Sequence, residues 1–226
     1  MRYGAFVLAS GLVWSVSAQA GLLAPEQFEA GRYLPPPPAA DSTTTKTELE
    51  ELHAIGAHTT PEERAVAARD AKDERADMFN TAIGFDLSTM PETFKLLTMV
   101  GDEEEDDTKA AKAYFHRNRP YAVDSTLQTC TPVKPGKAAN SYPSGHSTRA
   151  FSMGVVLASL IPAKAPAILA RSSEYAEHRL VCGVHYRSDI VAGQQFGTII
   201  ALKLMENSTF QAQMAKAKAE LQAAHI

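Results

Sequence analysis

The chain has 226 residues, of which 45% are hydrophobic and 21% are charged, and its formal net charge is −4. This size and composition suit one compact globular domain with a sizeable core. A mildly acidic protein is a poor candidate for a general nucleic-acid binder, so we expect no nucleic acid among its partners.

The first twenty residues have the pattern of a secretory signal peptide. Arg2 forms a short basic start, residues 5–16 form an apolar run, and Ala18-Gln19-Ala20 is a small-x-small cleavage pattern. An N-terminal membrane anchor is the alternative, but the run is too short to span a bilayer comfortably. We expect cleavage after Ala20, which divides the chain into a signal peptide over 1–20 and one folded domain over 21–226. In a bacterium the exported domain would be periplasmic and would have no membrane span.

Two cysteines, Cys130 and Cys182, fall in the domain that follows the predicted signal. In an exported protein such a pair indicates one disulfide. Two buried free thiols are the alternative, because the sequence does not show how far apart the two residues lie.

The N-terminal part of the domain begins with a run of four prolines, Pro35–Pro38, which excludes a regular helix or an interior strand. A first helix is predicted over 46–55. The sequence Thr60-Pro61-Glu62-Glu63 then combines a Thr cap, a Pro in the first turn and a Glu three residues on. These signals predict a helix over 64–83 that ends at Gly84.

An acidic run separates the next two predicted helices. Pro91 opens a helix over 92–100, whose apolar residues indicate a buried stripe. The six consecutive acids at 102–107 indicate a solvated loop or a favourable helix start. A weak cation site or an electrostatic gate is the functional alternative for this run. A helix over 108–117 follows and is stopped at Arg119-Pro120.

The second half of the chain is predicted to be a loop over 121–143 followed by four helices. Gly193 and Gly197 are four residues apart in the third of these helices and predict close helix packing. No helix is long and apolar enough to be a convincing membrane span. With no convincing strand, the sequence predicts an all-α fold, a single compact helical domain built around a core helix bundle. The four helices are predicted over 147–161, 165–180, 189–205 and 210–221.

The small, polar segment Asn140–Ser147 stands directly before one of these helices. A turn that opens a helix aims free backbone N–H groups at one point, and the helix dipole adds partial positive charge there. Ser144 and Gly145 therefore form a candidate anion site, with His146 as a proton donor beside it. An ordinary helix cap is the alternative explanation of the same residues.

Two further pairs carry charge at helical spacing. Lys112 and Arg119 are seven residues apart, which places them near one helical face, where two cations can hold a dianion. If residues 186–189 are helical, His185 and Asp189 lie one turn apart. The carboxylate would then fix the imidazole tautomer and leave the other ring nitrogen free to attack. A basic helix end and a surface His-Asp pair are the respective alternatives.

Taken together, these segments resemble the three-part signature of the type 2 phosphatidic acid phosphatase superfamily, which includes acid phosphatases and vanadium haloperoxidases. Segments 141–146 and 181–189, the Leu34–Pro38 segment and the 216–220 tail also resemble the bacterial class A non-specific acid phosphatases. One residue departs from the pattern: His178 stands where the family usually has Ser before the second Arg. The signature residues are Lys112, Arg119, Pro120, Pro143, Ser144, Gly145, His146, Arg179, His185 and Asp189.

The resemblance implies a phosphatase that hydrolyses a broad range of small phosphomonoesters through a phosphohistidine. His185 would be the nucleophile, Asp189 would orient it, and His146 would be the general acid and base. Fixed cations would replace metal ions, so no metal and no cofactor are expected, while a homo-oligomer is left open. The residues that would bind phosphate are Lys112, Arg119, Ser144, Gly145 and Arg179.

Other functions fit the same pocket. A nucleotide diphosphohydrolase or a phosphotransferase would use the same residues, and a haloperoxidase would hold vanadate there. A lipid phosphatase would be favoured by several membrane spans. A periplasmic phosphate-binding protein belongs to a different class and would not need His146, His185 and Asp189 together.

Overall fold

The structure, a computed structural model, describes residues 21–23, 29–133, 136 and 138–226, so the predicted signal peptide over 1–20 lies outside the described residues. Within these ranges the chain forms helices, turns and loops without a strand, which confirms the predicted all-α fold. The α-helices are α1 (Ala30–Tyr33), α2 (Thr43–His58), α3 (Pro61–Asp70), α4 (Asn80–Ile83), α5 (Pro91–Phe115), α6 (Pro120–Val123), α7 (Gly145–Leu160), α8 (Ala165–Val181), α9 (Arg187–Glu206) and α10 (Ser208–Ala223).

Helix α7 lies at the centre of the bundle and packs against α5, α8 and α9. The contact with α9 is close because Gly193 and Gly197 have no side chain. A Cβ atom on Gly193 would lie 2.6 Å from the carbonyl oxygen of Ser144, and one on Gly197 would lie 2.2 Å from that of Thr148. The predicted role of the two glycines in close helix packing is therefore confirmed.

The prediction of one helix over 64–83 is wrong. Helix α3 ends at Asp70, a turn follows, and a short 3-10 helix over Ala76–Phe79 leads into α4. The side chains of Met78 and Phe79 are buried in the core, and the break turns this segment inward so that they can reach it. Gly84 ends α4 in the left-handed region, at φ 83°, as predicted for a C-terminal glycine.

The acidic run is neither a solvated loop nor a helix start, because α5 continues through it from Pro91 to Phe115. Glu103 and Glu104 are buried, and both carboxylates accept hydrogen bonds. The Glu103 carboxylate accepts from the N–H groups of Leu22 and Leu23, at 2.6 and 2.8 Å. Glu104 accepts from the Thr108 hydroxyl at 2.6 Å and from the Arg149 Nε at 3.1 Å.

No helix in the described part of the chain is long and apolar enough to cross a membrane. The proline run is tied to the central segment, since the Tyr142 hydroxyl donates to the Pro35 carbonyl at 2.8 Å. This bond brings the N-terminal segment next to residues 140–147, where the predicted anion site lies.

Candidate active site

A cavity of about 740 Å³ opens between α5, the start of α7 and the end of α8. Most of the residues that the sequence singled out line this cavity, although they come from three separate segments of the chain. The predicted site residues in its wall are Lys112, Arg119, Gly145, His146, Arg179 and His185.

The turn before α7, where the sequence predicted an anion site, forms one end of the cavity. Helix α7 begins at Gly145, so the N–H groups of Gly145 and His146 belong to its first turn and have no carbonyl partner within the helix. Ser144 is the N-cap: its hydroxyl lies 3.0 Å from the Ser147 Oγ and accepts from the Ser147 N–H at 3.4 Å. The structure thus places the Ser144 side chain at the helix cap, away from the cavity wall, and its role as a phosphate ligand stays a prediction.

Lys112 and Arg119 reach the cavity from different elements, so their predicted position on one helical face is wrong. Helix α5 ends at Phe115, because His116 adopts a left-handed conformation with φ 51°. Arg119 is the residue before a proline, which disfavours helical backbone, and it caps α6 in an extended conformation. The Lys112 Nζ donates to the Asn140 carbonyl at 3.2 Å, which holds the ammonium beside the turn before α7.

Two guanidinium groups have buried nitrogen atoms without a hydrogen-bond partner. Within the described residues, these are the Nε of Arg119 and the Nε and Nη1 of Arg179. Arg179 is only 7% exposed, and burial, the largest influence, lowers its pKa to about 10. Buried donors without acceptors are costly, and a guanidinium can only donate. The arrangement therefore favours a bound anion between the two arginines.

His185 is held with one ring nitrogen toward this anion site. Its Nε2 lies 3.2 Å from the Nη1 of Arg119, and because a guanidinium only donates, Nε2 is the acceptor and carries no proton. The proton therefore sits on Nδ1, which faces the Asp189 Oδ2 at 3.3 Å. Burial, followed by the charges of Arg119, Lys112 and Arg179, lowers the pKa of His185 well below its usual value. The Nε2 of His185 thus carries a lone pair and no proton, and this lone pair accepts from Arg119.

Asp189 is fully buried and is fixed by three groups besides His185. It accepts from the Arg117 Nη1 at 2.7 Å, from the Ser141 hydroxyl at 2.5 Å and from the Tyr186 N–H at 2.9 Å. Arg117 and Ser141 were not among the predicted site residues. The sequence features that could have indicated them are the pair of arginines on either side of Asn118 and a serine within the segment 140–147. Neither was selected, because Arg119 and Ser144 lie close by in the same segments.

His146 lies on the other side of the cavity, between α8 and the turn after α3. Its Nε2 is 3.3 Å from the Ala71 carbonyl and 3.5 Å from a Glu74 carboxylate oxygen. Both are acceptors, so Nε2 carries the proton of the neutral ring. The imidazole stacks on the Tyr175 ring with centroids 5.6 Å apart. Burial, followed by the charge of Arg179, lowers the pKa of His146 well below its usual value.

Cys130 and Cys182 form a disulfide, with Cα atoms 4.7 Å apart, so the first of the two alternatives is confirmed. The bond ties the loop before the anion site to the end of α8, between Arg179 and His185. Next to the disulfide, the backbone of Gly183 lies close to the backbone of Gln128. Gly183 has φ 62°, and a Cβ there would lie 2.7 Å from the Gln128 carbonyl oxygen. The disulfide and this glycine together fix the turn that leads into His185.

Comparison with protein families shows where this arrangement belongs. The model of the PAP2 superfamily matches residues 96–211, which include all eight predicted site residues. The chain belongs to the PAP2 superfamily. It is 30% identical over 207 residues to a non-specific acid phosphatase of Salmonella typhimurium, covering 87% of this chain and 81% of the relative. It is 31% identical over 231 residues to an acid phosphatase of Zymomonas mobilis, covering 96% of this chain and 87% of that one.

A solved structure shows the same PAP2 fold. A transmembrane PAP2-type phosphatidylglycerolphosphate phosphatase from Bacillus subtilis superposes with a TM-score of 0.54 and 16% identity. The match covers 73% of this chain and 86% of the Bacillus chain. As for metals, the described part of this PAP2 chain contains no group of three or more His, Cys, Asp or Glu that could hold an ion. Independence of metal ions stays a prediction.

Proposed function

We propose that this protein is an acid phosphatase that hydrolyses a broad range of phosphomonoesters through a phosphohistidine on His185. The observation that carries the proposal is the pair Arg119 and Arg179, whose guanidinium groups have buried nitrogens without a partner and which line the same cavity as His185. The Nε2 of His185 carries no proton. Phosphate supplies the acceptors that these guanidinium groups lack. The sequence similarity to the acid phosphatases of Salmonella and Zymomonas supports the same activity for this chain.

In the first step, the His185 Nε2 attacks phosphorus, and the P–N bond forms as the bond to the leaving oxygen breaks. Arg119 releases Nε2 and donates to a phosphoryl oxygen instead. His146, protonated once the phosphate dianion offsets the nearby cations, gives its proton to the leaving alkoxide. The positive charge on the phosphorylated imidazole is offset by Asp189, which keeps its hydrogen bond to the Nδ1–H.

In the second step, water replaces the alcohol. His146 is now neutral and removes a proton from the water as its oxygen attacks phosphorus. The P–N bond breaks, phosphate leaves and His185 returns to its neutral form. The cations and the helix N–H groups stabilise the charge on the phosphoryl oxygens in both steps, which is the role that metal ions play in other phosphatases.

A non-catalytic phosphate binder is less well supported, because His185 is oriented and deprotonated in the way a nucleophile requires. The cavity volume of about 740 Å³ also exceeds what one phosphate ion fills, and leaves room for the alcohol part of an ester. An alcohol in place of water in the second step would give the phosphotransferase reaction, so transfer to added glycerol measures that alternative directly.

We also propose that the chain is exported and cleaved after Ala20. A disulfide is typical of an oxidising compartment such as the periplasm. Residues 21–23 are bound to the domain, since Glu103 holds the N–H groups of Leu22 and Leu23 and Asn207 donates to the Leu22 carbonyl at 2.9 Å. N-terminal sequencing of the periplasmic protein would give Gly21 first; Met1 or another residue would reject the cleavage site.

The activity is tested with purified protein and p-nitrophenyl phosphate, with and without EDTA. We expect hydrolysis below neutral pH that survives the chelator. Rapid quenching with ³²P-labelled substrate should then place an acid-labile label on the peptide that contains His185, and His185→Ala should carry none. Label on another residue would overturn the proposed intermediate, and activity lost to EDTA and restored by a divalent ion would reject the metal-free site.

A further inference from the structure

The turn over residues 71–74 is the element that His146 touches on its outer side. The Ala71 carbonyl and the Glu74 carboxylate are the two acceptors near the His146 Nε2. The turn is connected to neighbouring helices at two more points. The Tyr175 hydroxyl donates to the Asp73 carbonyl, and the Arg149 Nη1 donates to the Glu74 carbonyl at 3.1 Å. The position of the imidazole therefore depends on the position of this turn.

Asp70, the last residue of α3, anchors the turn at its beginning. Its carboxylate accepts from both Nη atoms of Arg171, at 2.7 and 2.9 Å, and lies 2.6 Å from the Nδ1 of His178. Burial alone would raise the pKa of Asp70, but the hydrogen bonds from His178 and Arg171 outweigh it and lower this pKa to about 2. Asp70 is thus a charged, doubly bound residue directly before the Ala71 carbonyl.

The partners of this turn share one face of α8. Arg171, Tyr175 and His178 are spaced by four and three residues, so they point in a similar direction. Arg179, the next residue after His178, enters the phosphate cavity. One helix therefore carries both an arginine of the phosphate site and the groups that hold the turn against His146.

We propose that Asp70 and His178 are positioning residues for the general acid, His146, acting through the Ala71 carbonyl. This inference rests on the proposed function, in which His146 protonates the leaving group. Asp70 fixes the end of α3, the Ala71 carbonyl fixes the proton on the Nε2 of His146, and the Nδ1 is left for the substrate.

The inference predicts a defect that depends on the leaving group. A displaced His146 cannot protonate an alkoxide well, whereas p-nitrophenolate leaves without much help. A general loss of structure would instead reduce both reactions alike. The informative quantity is the ratio of kcat/KM for an alkyl phosphate, such as ethyl phosphate, to kcat/KM for p-nitrophenyl phosphate.

The experiment measures this ratio in the mature protein and five variants, one of which, His146→Ala, tests the general acid itself. His178→Ala removes the contact, and His178→Asn keeps a donor close to the position of Nδ1. Asp70→Asn keeps the shape but removes the charge. His53→Ala is the matched control, because it removes a His-Asp contact of 2.8 Å, to Asp124, outside the cavity. Urea unfolding of each variant shows how much of it is folded during the assay.

We expect His178→Ala and Asp70→Asn to lower the ratio about tenfold, which is less than the roughly hundredfold loss that a 1 Å misplacement of a reacting group can cause. His178→Asn should recover most of the ratio, and His53→Ala should leave it unchanged. An unchanged ratio in the folded variants, or an equal loss with both substrates, would overturn the inference. If His178→Ala does not fold, Asp70→Asn and His178→Asn decide the question by the same ratio.

The proposed function fails in a different way. If His146→Ala leaves the ratio at the wild-type value, His146 is not the general acid, whatever the variants of Asp70 and His178 show. If His146→Ala lowers the ratio but His178→Ala and Asp70→Asn do not, the assignment of His146 as general acid is supported. In that case only the positioning role of Asp70 and His178 is rejected.

Discussion

Arg117 and Asp189 form a buried ion pair behind His185, with the Arg117 Nη1 2.7 Å from the Asp189 Oδ1. The same guanidinium donates to Glu48 at 2.9 Å and lies over the Tyr186 ring at 3.9 Å. In the proposed mechanism Asp189 orients His185, so Arg117 would act on the reaction through a residue that itself does not touch the substrate. One arginine thus connects α2 to the start of α9.

The first prediction is that Arg117→Met destabilises the fold strongly. Removing the cation leaves two buried carboxylates unpaired, which costs about 3 kcal/mol in the free energy of unfolding. The kcat should fall, because Asp189 no longer holds His185, while KM changes little. Arg187→Met is the control: Arg187 pairs with Glu51 and Glu177 and is 36% exposed, so its loss should cost less than about 1 kcal/mol. Equal losses of stability in urea unfolding would contradict the assigned role.

The second prediction concerns the acid limb of the pH profile. Because the pKa of His185 is lowered, the neutral nucleophile persists below the usual His value of 6.5, and kcat/KM should fall only at lower pH. Arg119 contributes to this lowering. Arg119→Gln should therefore raise the pKa of His185 and move the acid limb to higher pH, whereas Arg119→Lys, which keeps the charge, should leave it in place. The same displacement in both variants would show that charge is not the cause.

The third prediction uses Glu104, whose burial raises its pKa from 4.5 to about 7. A raised folded-state pKa gives a contribution to stability that is present below 4.5 and is lost as the pH rises through 7. Glu104→Gln cannot ionise, so it should melt at a higher temperature than the wild type at pH 8, and the difference should disappear near pH 5. The gain is at most about 3 kcal/mol. Glu105→Gln, at a neighbouring exposed site, is the control and should show no such trend.

The fourth prediction concerns the disulfide, whose cysteines are 52 residues apart in sequence. In the chain-entropy model, a bridge over a loop of this length contributes on the order of 4 kcal/mol. The double variant Cys130→Ser/Cys182→Ser should therefore melt well below the wild type. Reducing agent should lower the melting temperature of the wild type and leave the double variant unaffected. Two free thiols in the mass spectrum of the unreduced protein would contradict the bond.

The sequence predicted the helical fold because caps, prolines and glycines mark helix ends locally. The sequence-based prediction failed where contacts between residues distant in sequence determine the local structure. The acidic run at 102–107 looked solvated because six like charges repel, but Glu103 and Glu104 are supplied with donors from residues distant in sequence, Leu22, Leu23 and Arg149. Likewise, nothing local in the sequence shows that residues 71–74 turn toward α7 and α8, since the side chains of those helices that bind this turn are 75 or more residues away.

Six of the eight residues predicted for the site line the cavity, but the way they come together was not predicted. Lys112 and Arg119 were assigned to one helical face by spacing, and the structure instead brings them together across a left-handed His116 and a short helix. Arg117 could not be distinguished from an ordinary helix-end cation, because its two carboxylate partners, Glu48 and Asp189, lie about 70 residues away on either side. Spacing identifies which side chains can share a face, and burial decides which of them become partners.

The close approach of α9 to α7 has a consequence for the variation that this protein can tolerate. The backbone of Ser144, which opens the anion-binding turn, rests on Gly193 with no space for a single methyl group. Alanine at position 193 would shift that turn relative to His185, although it contacts no substrate. In a deep mutational scan selected for phosphatase activity, Gly193 and Gly197 should therefore be as intolerant of substitution as His146 and His185, the two histidines of the proposed mechanism. Conservation of glycine at these two positions would then reflect the short distance required between the backbones of α7 and α9, because glycine has no side chain to take part in the chemistry.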